Sequence, residues 1–364
     1  MKPLLDSYVP FFSRRSMAAT AHGSSIYFFG GVGAAGTESI MDVSADLWCF
    51  DTATFLWRQI SELPVWPSPR RCVGWISSGD NLVLWGGSGI NDEQDGTLIY
   101  SFLNDEWIFD VRKKTWKLMK STDDHRISPV NSGSPFPRYT PVFQRVGSDQ
   151  FLFGGYTEDR LGKRKLNDTW VRSNEIWTRI PPSLHQGYRS GADYPGLRYG
   201  SMSAADLDSV YVCGGFSDDG DHNDLWCFDM EQCQWRQLEP EGDADNLPEA
   251  RYCAAFAYYD HKLYLFGGRS RRFPKKNFND LWVYDLIAAE WVRLSGNRSP
   301  HCYDGSTDFL AYHAKASTAV VGHFWYIWGG EGINGHVSDF WRFNFENHQW
   351  QLIHPARPDD PKFW

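Results

Sequence analysis

Six basic side chains stand at matching places along the 364-residue chain, at Arg15, Arg71, Arg138, Arg198, Arg251 and Lys315, each opening a short apolar segment. The planar guanidinium fork fits carboxylate or phosphate oxygens two at a time, so such a set gathered around one opening would bind anions. An arginine repeated at regular intervals is also what a structural contact between neighbouring repeats requires, and both readings stay open. A second set adjoins the first. Directly after six glycine pairs come Val32, Ser88, Tyr156, Phe216, Arg269 and Glu331. Tyr156 and Phe216 would add an apolar wall, Arg269 a further cation and Glu331 an acid. The candidate ligand-binding residues are therefore Arg15, Arg71, Arg138, Tyr156, Arg198, Phe216, Arg251, Arg269, Lys315 and Glu331. No catalytic residue is assigned.

A third grouping, His301, Cys302, Tyr303 and Asp304 with Asp308 and His313 further on, is the densest collection of metal-ligand residue types. It has no metal-binding spacing and reads as an exposed polar segment, so neither a metal nor another cofactor is expected. Local enzyme signatures are missing as well: no Gly-x-Gly-x-x-Gly after a strand, no phosphate loop, no Gly-x-Ser-x-Gly and no His-Glu-x-x-His.

The elements that must hold these residues are visible as an internal repeat. Glycine pairs at Gly30-Gly31, Gly86-Gly87, Gly154-Gly155, Gly214-Gly215, Gly267-Gly268 and Gly329-Gly330 each close an apolar strand. Each is followed by an Asp-x-Trp, at Asp46/Trp48, Asp105/Trp107, Asp168/Trp170, Asp224/Trp226, Asp280/Trp282 and Asp339/Trp341, and then by a second tryptophan, at Trp57, Trp116, Trp177, Trp235, Trp291 and Trp350. In the fifth copy Arg251 to Tyr258, Lys262 to Phe266, Leu281 to Asp285 and Glu290 to Leu294 read as four strands separated by turn residues. Four antiparallel strands in a repeat of about 50 residues make a propeller blade. The expected fold is all-β, a six-bladed β-propeller in one domain, residues 1–364, with blades at about 11–61, 66–120, 137–180, 195–240, 248–296 and 312–354.

The glycine pair, the Asp-x-Trp-x-Phe/Tyr-Asp and the second tryptophan resemble the kelch motif over nearly the whole chain. The copies vary: blade 3 reads Asp168-Thr169-Trp170-Val171-Arg172-Ser173 and lacks the closing acid, and blade 6 ends in Asn344. Kelch propellers include adaptors, enzymes and structural proteins, so the resemblance bears on fold more than on function. Kelch adaptors that grip acidic peptides use arginines at the start of the first strand, which implies a carboxylate-binding role for the six basic positions. The iron-binding Glu-x-x-x-Asp-x-x-x-His of nitrile-specifier kelch proteins is absent: Glu38 and Asp42 lead to Asp46, and Glu106 and Asp110 lead to Lys114. Ring closure is expected to rest on blade 6 packing against blade 1, with Phe363 and Trp364 available to help.

Composition narrows the partner. With 42% hydrophobic and 22% charged residues the chain is expected to be soluble, cytoplasmic and monomeric, and no apolar run approaches the roughly 20 residues that span a bilayer. The net charge of -9 argues against nucleic acid and anionic lipid. The seven cysteines are scattered, and only Cys227 and Cys233, flanking one turn, invite a bridge. The long loops, Ser88 to Asn104, Tyr156 to Asn167 and Arg269 to Asn279 among them, alternate in charge: basic at Arg160, Lys163, Arg164 and Lys165 and again from Arg269 to Lys276, acidic at Asp92, Glu93, Asp95, at Asp218, Asp219, Asp221 and from Glu239 to Glu249. The preferred reading is a non-enzymatic interaction module that binds an acidic or mixed-charge peptide or protein on the face carrying the long loops. The competing one is an enzyme, an isomerase or lyase or a metal-assisted activity, working on a small anion at the channel mouth with Glu331 as its acid.

Overall fold

The computed structural model describes residues 14–33, 43–61, 63–94, 97–121, 133–159, 162–181, 193–240, 246–272, 275–295, 313–332 and 336–355. Among these there is no α-helix, and none long and apolar enough to cross a membrane. Six antiparallel sheets follow one another, each with four main strands in chain order. Blade 1 runs from Ala18–His22 to Leu56–Ile60, blade 2 from Gly74–Ser78 to Thr115–Lys120, and blade 3 from Val142–Val146 to Ile176–Ile180. Blade 4 runs from Met202–Ala205 to Gln234–Gln237, blade 5 from Ala255–Tyr259 to Glu290–Ser295, and blade 6 from Ser317–Val321 to Gln349–His354. The chain divides into two compact units. The first, Met1–Glu62 with Pro240–Glu249 and Cys253–Trp364, holds blades 1, 5 and 6; the second, Leu63–Glu239 with Ala250–Tyr252, holds blades 2, 3 and 4.

Middle strands are apolar on both faces because each sheet is covered on both sides. In blade 5, Lys262–Phe266 and Leu281–Asp285 bury Leu263, Tyr264, Leu265 and Phe266 against Leu281, Trp282, Val283 and Tyr284. The outer strand Glu290–Ser295 instead alternates, with Trp291 buried between exposed Glu290 and Val292. Large rings fill the space between sheets. In the first unit Phe28, Phe50 and Trp57 of blade 1 interlock with Trp328 and Phe340 of blade 6, with ring centroids 4.9 Å apart for Phe50 and Phe340 and 5.2 Å for Trp57 and Trp328. Each such ring removed from water contributes about 1.5–3 kcal/mol. Ser317 Oγ also donates to Met17 O at 2.8 Å, so blade 6 meets blade 1 directly, and among the described residues no strand is exchanged between them. Phe363 and Trp364 lie outside the described residues.

Neighbouring blades are clipped together at the glycine pairs. In the second unit Arg138 N donates to Leu103 O at 3.1 Å, while Arg138 O accepts from Gly87 N at 3.1 Å. Arg198 repeats this with Leu166 and Gly155, and Arg251 with His222 and Gly215. A Cβ on Gly214 would stand 2.6 Å from Arg251 O, and its φ of +56 lies in the left-handed region, so glycine is required there on both counts.

The motif's irregular copies have local compensations. Asp285 Oδ1 accepts from Ile287 N and Ala288 N at 2.9 and 3.0 Å, which closes the turn between the third and fourth strands. In blade 6 the amide oxygen of Asn344 does the same for Glu346 N at 2.8 Å. Blade 3 has no acid at that place because its turn is shorter: Ser173 pairs with Ile176 across Asn174 and Glu175, both at positive φ. Two segments that the sequence presents as long loops, Ser88 to Asn104 and Tyr156 to Asn167, are strand: Asn81–Gln94 pairs with Thr97–Asp110, and Asp149–Asp159 with Gly162–Ser173. Cys227 and Cys233 are free thiols, as are the other described cysteines.

Candidate functional site

The repeated arginines separate into two kinds. Arg138 is fully buried; its Nη1 and Nη2 donate to Asp168 Oδ1 and Oδ2 at 2.6 and 2.8 Å, and Nη1 also reaches Gly154 O at 3.0 Å. Arg198 forks Asp224 in the same way and reaches Gly214 O. The carboxylate is held from behind by the Asp-x-Trp motif, since Trp170 Nε1 and Trp226 Nε1 each donate to their aspartate at 2.7 Å. Burial opposes ionisation of Asp168, but the charge and hydrogen bonds of Arg138 outweigh it and hold the carboxyl below its ordinary range. These guanidiniums are used up inside the sheet. Arg138, Arg198 and Arg251, at 0, 2 and 1% exposure, do not line an opening.

The same role in blades 1, 2 and 6 falls on Arg14, Arg70 and His313, not on Arg15, Arg71 and Lys315. Arg14 bonds Asp46 at 2.7 Å, Arg70 forks Asp105 at 2.7 and 2.9 Å, and His313 sets Nδ1 2.6 Å from Gly329 O and Nε2 3.3 Å from Asp339. A constant spacing marks these residues: each precedes the first glycine of its pair by sixteen positions. Counting back sixteen from each pair gives Arg14, Arg70, Arg138, Arg198, Arg251 and His313, a signal that a search for first-strand arginines alone overlooks.

The next residue along, Arg15, Arg71, Tyr139, Tyr199, Tyr252 or Ala314, is the one brought beside the residue after the glycine pair. The backbone pairs Arg15 with Val32, Arg71 with Ser88, Tyr139 with Tyr156, Tyr199 with Phe216 and Ala314 with Glu331. Val32 and Ser88 are buried, whereas Tyr156, Phe216, Arg269 and Glu331 keep part of their surface.

In the first unit this arrangement gathers charge. Arg15 Nη1 lies 2.8 Å from Glu331 Oε2, Lys315 Nζ 3.4 Å from the same oxygen, and Arg269 Nη1 3.1 Å from Oε1. Burial would raise the Glu331 pKa, but Lys315, Arg269 and Arg15 drive it down to about 2. Glu331 is therefore ionised at neutral pH and has no proton to give as a general acid. The Lys315 pKa is lowered, by burial first and by Arg269 and Arg15 as well, with Cys253 and Glu331 pulling the other way.

In the second unit the equivalent places carry rings. Tyr156 and Tyr199 have centroids 5.4 Å apart, Tyr199 and Phe216 5.7 Å, Phe216 and Tyr252 5.8 Å, and Phe102 lies 6.1 Å from both Tyr139 and Tyr156. Two cations sit over this row: the Arg71 guanidinium 5.6 Å from the Tyr139 centroid and Lys165 Nζ 5.3 Å from that of Phe216. The basic and acidic connections are partly paired with each other, Lys165 with Asp218 in this unit and Lys276 with Glu249 at 2.6 Å in the first. Of the metal-ligand grouping, His313 is buried in blade 6, and residues 301 to 308 lie outside the described residues. Among the described residues no three His, Cys, Asp or Glu converge to hold a metal.

Comparison with known proteins agrees with this architecture. The profile of the KLHDC2/KLHL20/DRC7 Kelch-repeats domain matches residues 8–131, 122–302 and 195–362. Human Kelch domain-containing protein 10 is 27% identical over 308 residues, covering 82% of this chain and 62% of that protein. The rat protein of the same name is 24% identical over 308 residues, 80% of this chain and 68% of its own length, and the matched stretch covers 61% of the mouse one. Human Kelch domain-containing protein 3 is 24% identical over 311 residues, 79% of this chain and 72% of that protein. Kelch propellers of this kind are typically protein-interaction modules. With the family profile matched from residue 8 to residue 362 and the glycine pair, Asp-x-Trp and second tryptophan present in six sheets of four main strands, the chain belongs to the kelch-repeat family, an all-β six-bladed propeller.

Proposed function

We propose that the protein is a non-enzymatic interaction module that captures a peptide or protein carrying apolar and acidic side chains. The observation behind this reading is the ring row of the second unit, in which half-buried Phe102, Tyr139, Tyr156, Tyr199 and Phe216 stand next to Arg71 and Lys165. Aromatic rings and arginine are enriched where proteins bind proteins, because rigid rings bury a large area at little entropic cost. The framework does not call for rings there: blade 1 has Arg15 with Val32, and blade 6 has Ala314 with Glu331 at the same places. Two cations beside the rings favour an acidic flank on the ligand.

The test is an affinity pull-down that compares the intact chain with a Tyr199→Ala/Phe216→Ala variant, with circular dichroism and thermal unfolding to confirm that the variant folds. Loss of the captured partners by the folded variant is expected. The same partners retained at the same yield would sink the reading.

A further inference from the structure

We propose that Arg15, Arg269, Lys315 and Glu331 form a site for a phosphate group, free or carried as a phosphate monoester. The four residues come from three separate segments: Arg15 from the entry to blade 1, Arg269 from blade 5, and Lys315 and Glu331 from blade 6. Their placement is fixed by the backbone. Lys315 N donates to Cys253 O at 2.9 Å, Lys315 O accepts from Ser16 N at 3.0 Å, and Ala314 exchanges two hydrogen bonds with Glu331.

A structural ion pair of this fold has a recognisable form, shown by Arg138 with Asp168 and Arg198 with Asp224. It is one cation to one carboxylate, forked through two nitrogens, backed by a carbonyl and a tryptophan, with the arginine side chain 0–2% exposed. The Glu331 group departs from that form in each respect. Three cations converge on one carboxylate, Arg15 reaches it with a single nitrogen, and the four side chains keep 13–26% of their exposure. Arg15 Nε has no hydrogen-bond acceptor among the described residues. The repeat does not demand these residues either, because Tyr139 and Tyr199 occupy the place of Arg15, and Ser16, Cys72, Thr140 and Cys253 that of Lys315.

The ligand class follows from charge and donor count. Arg15 and Lys315 share one oxygen of Glu331, so that pair alone exceeds its counter-charge, and Arg269 adds a third positive group. A phosphate monoester brings about −1.5 to −2 of charge and three acceptor oxygens to three donors. Glu331, held ionised, fixes the spacing of the three cations and is set aside, not protonated, when the phosphate arrives.

The experiment is calorimetric titration of the full chain at fixed pH and ionic strength with inorganic phosphate, sulfate, acetate, and one acidic peptide in serine and phosphoserine forms. Phosphate, sulfate and phosphopeptide are expected to bind, and acetate and the serine peptide to bind about tenfold more weakly or not at all. A phosphopeptide tighter than inorganic phosphate identifies a peptide-borne ligand; equal affinity identifies the free anion. Arg15→Gln and Lys315→Gln are each expected to weaken phosphate about tenfold, with Arg15→Lys recovering part of the loss, while Glu331→Gln tightens it several-fold by removing the competing anion. A purely structural network predicts no gain in phosphate binding for Glu331→Gln. Acetate binding as tightly as phosphate, or phosphate binding unchanged in folded Arg15→Gln and Lys315→Gln variants, would overturn the proposal. Tyr199→Ala/Phe216→Ala is expected to leave phosphate affinity unaltered, so failure of the ring row and failure of this site are told apart.

Discussion

The two units place different chemistry on one framework. In the second unit the residues beside the glycine pairs are Tyr139, Tyr156, Tyr199 and Phe216, with tilted or edge-on rings whose centroids lie 5.4–6.4 Å apart. In the first they are Arg15, Arg269, Ala314 and Glu331, joined by charge with Lys315 beside them. One residue earlier in the chain the difference vanishes, for Arg14 and Arg138 both bond an Asp-x-Trp aspartate and a glycine carbonyl sixteen positions on. Neighbouring positions thus differ: the buried arginine builds the blade, and the next side chain changes type from blade to blade. Arginine at a strand start has no single meaning until its register is known.

The largest effect should come from breaking the shared framework. Arg138→Ala leaves Asp168 buried without its fork and Gly154 O without a donor, and removing one partner of such a buried pair costs about 3–5 kcal/mol. Denaturant unfolding is expected to show that loss, and replacing Arg138, Arg198 and Arg251 together is expected to unfold the protein, not to yield a folded variant lacking capture. A folded triple variant with an ordinary midpoint would mean that the comparison has been drawn at the wrong residue.

Blade 6 sharpens the comparison through pH, since it alone among the described blades has histidine where arginine is usual. His313 faces an acceptor with each ring nitrogen, Gly329 O and Asp339, so it fills the arginine's place only when doubly protonated. Burial lowers its pKa, yet Asp339 and Gly329 O outweigh burial and raise it overall. A histidine with a raised folded pKa contributes stability that is complete below its unfolded value near 6.5 and is lost as pH climbs through the folded value. Asp339 is shifted down and adds stability that disappears only as pH falls through its own folded pKa. His354 works in the opposite sense: burial lowers it to about 4, so the folded state loses stability as pH falls from 6.5 towards 4. The thermal midpoint of the native chain should therefore be highest near pH 6.5, declining as pH falls from there towards 4 and as pH rises above it. His313→Arg should remove the alkaline decline and leave the acid one, and an identical alkaline slope in both proteins would refute the assignment.

The blade count, the strand order and the Asp-x-Trp pairs were legible because they repeat, and repetition cancels local noise. The register of the basic residues was not, because Arg14-Arg15 and Arg70-Arg71 are doublets that offer two arginines for one role, while His313 conceals the sixth member. The sixteen-residue spacing resolves the doublets, but its meaning appears only with the glycine carbonyl as the guanidinium's third acceptor. Ser88 to Asn104 and Tyr156 to Asn167 read as loops since their polar residues mask the strand period, yet the backbone ladder continues through both. Glu331 was marked by its position after the glycine pair; that three cations from three segments meet there is a long-range fact beyond any local pattern.

A smaller effect separates the ring row from the framework. Tyr199→Ala removes the ring contacts to Tyr139, Tyr156, Phe216 and Tyr252. For a half-buried ring the loss should be about 1–2 kcal/mol, below the 3–5 expected for a fully enclosed one. A cost as large as that of Arg138→Ala would place the row in the framework and remove it as a binding surface.

The smallest effect on stability is expected at the charge cluster, and its smallness is the informative part. Arg15, Lys315 and Glu331 keep 13–26% of their side-chain surface, so their attractions are partly screened and each pair is expected to contribute well below the about 3–5 kcal/mol of a fully buried one. Arg15→Gln should therefore shift the unfolding midpoint little. Glu331→Gln pits two terms against each other, loss of three attractions and retention of three mutually repelling cations, and should destabilise more at low salt than at 0.5 M, where the Debye length falls to about 4 Å. If Arg15→Gln instead cost several kcal/mol and salt made no difference, the cluster would be a buried structural pair like Arg138 with Asp168, and the contrast between the two arginine positions would collapse at the one place where function was assigned to it.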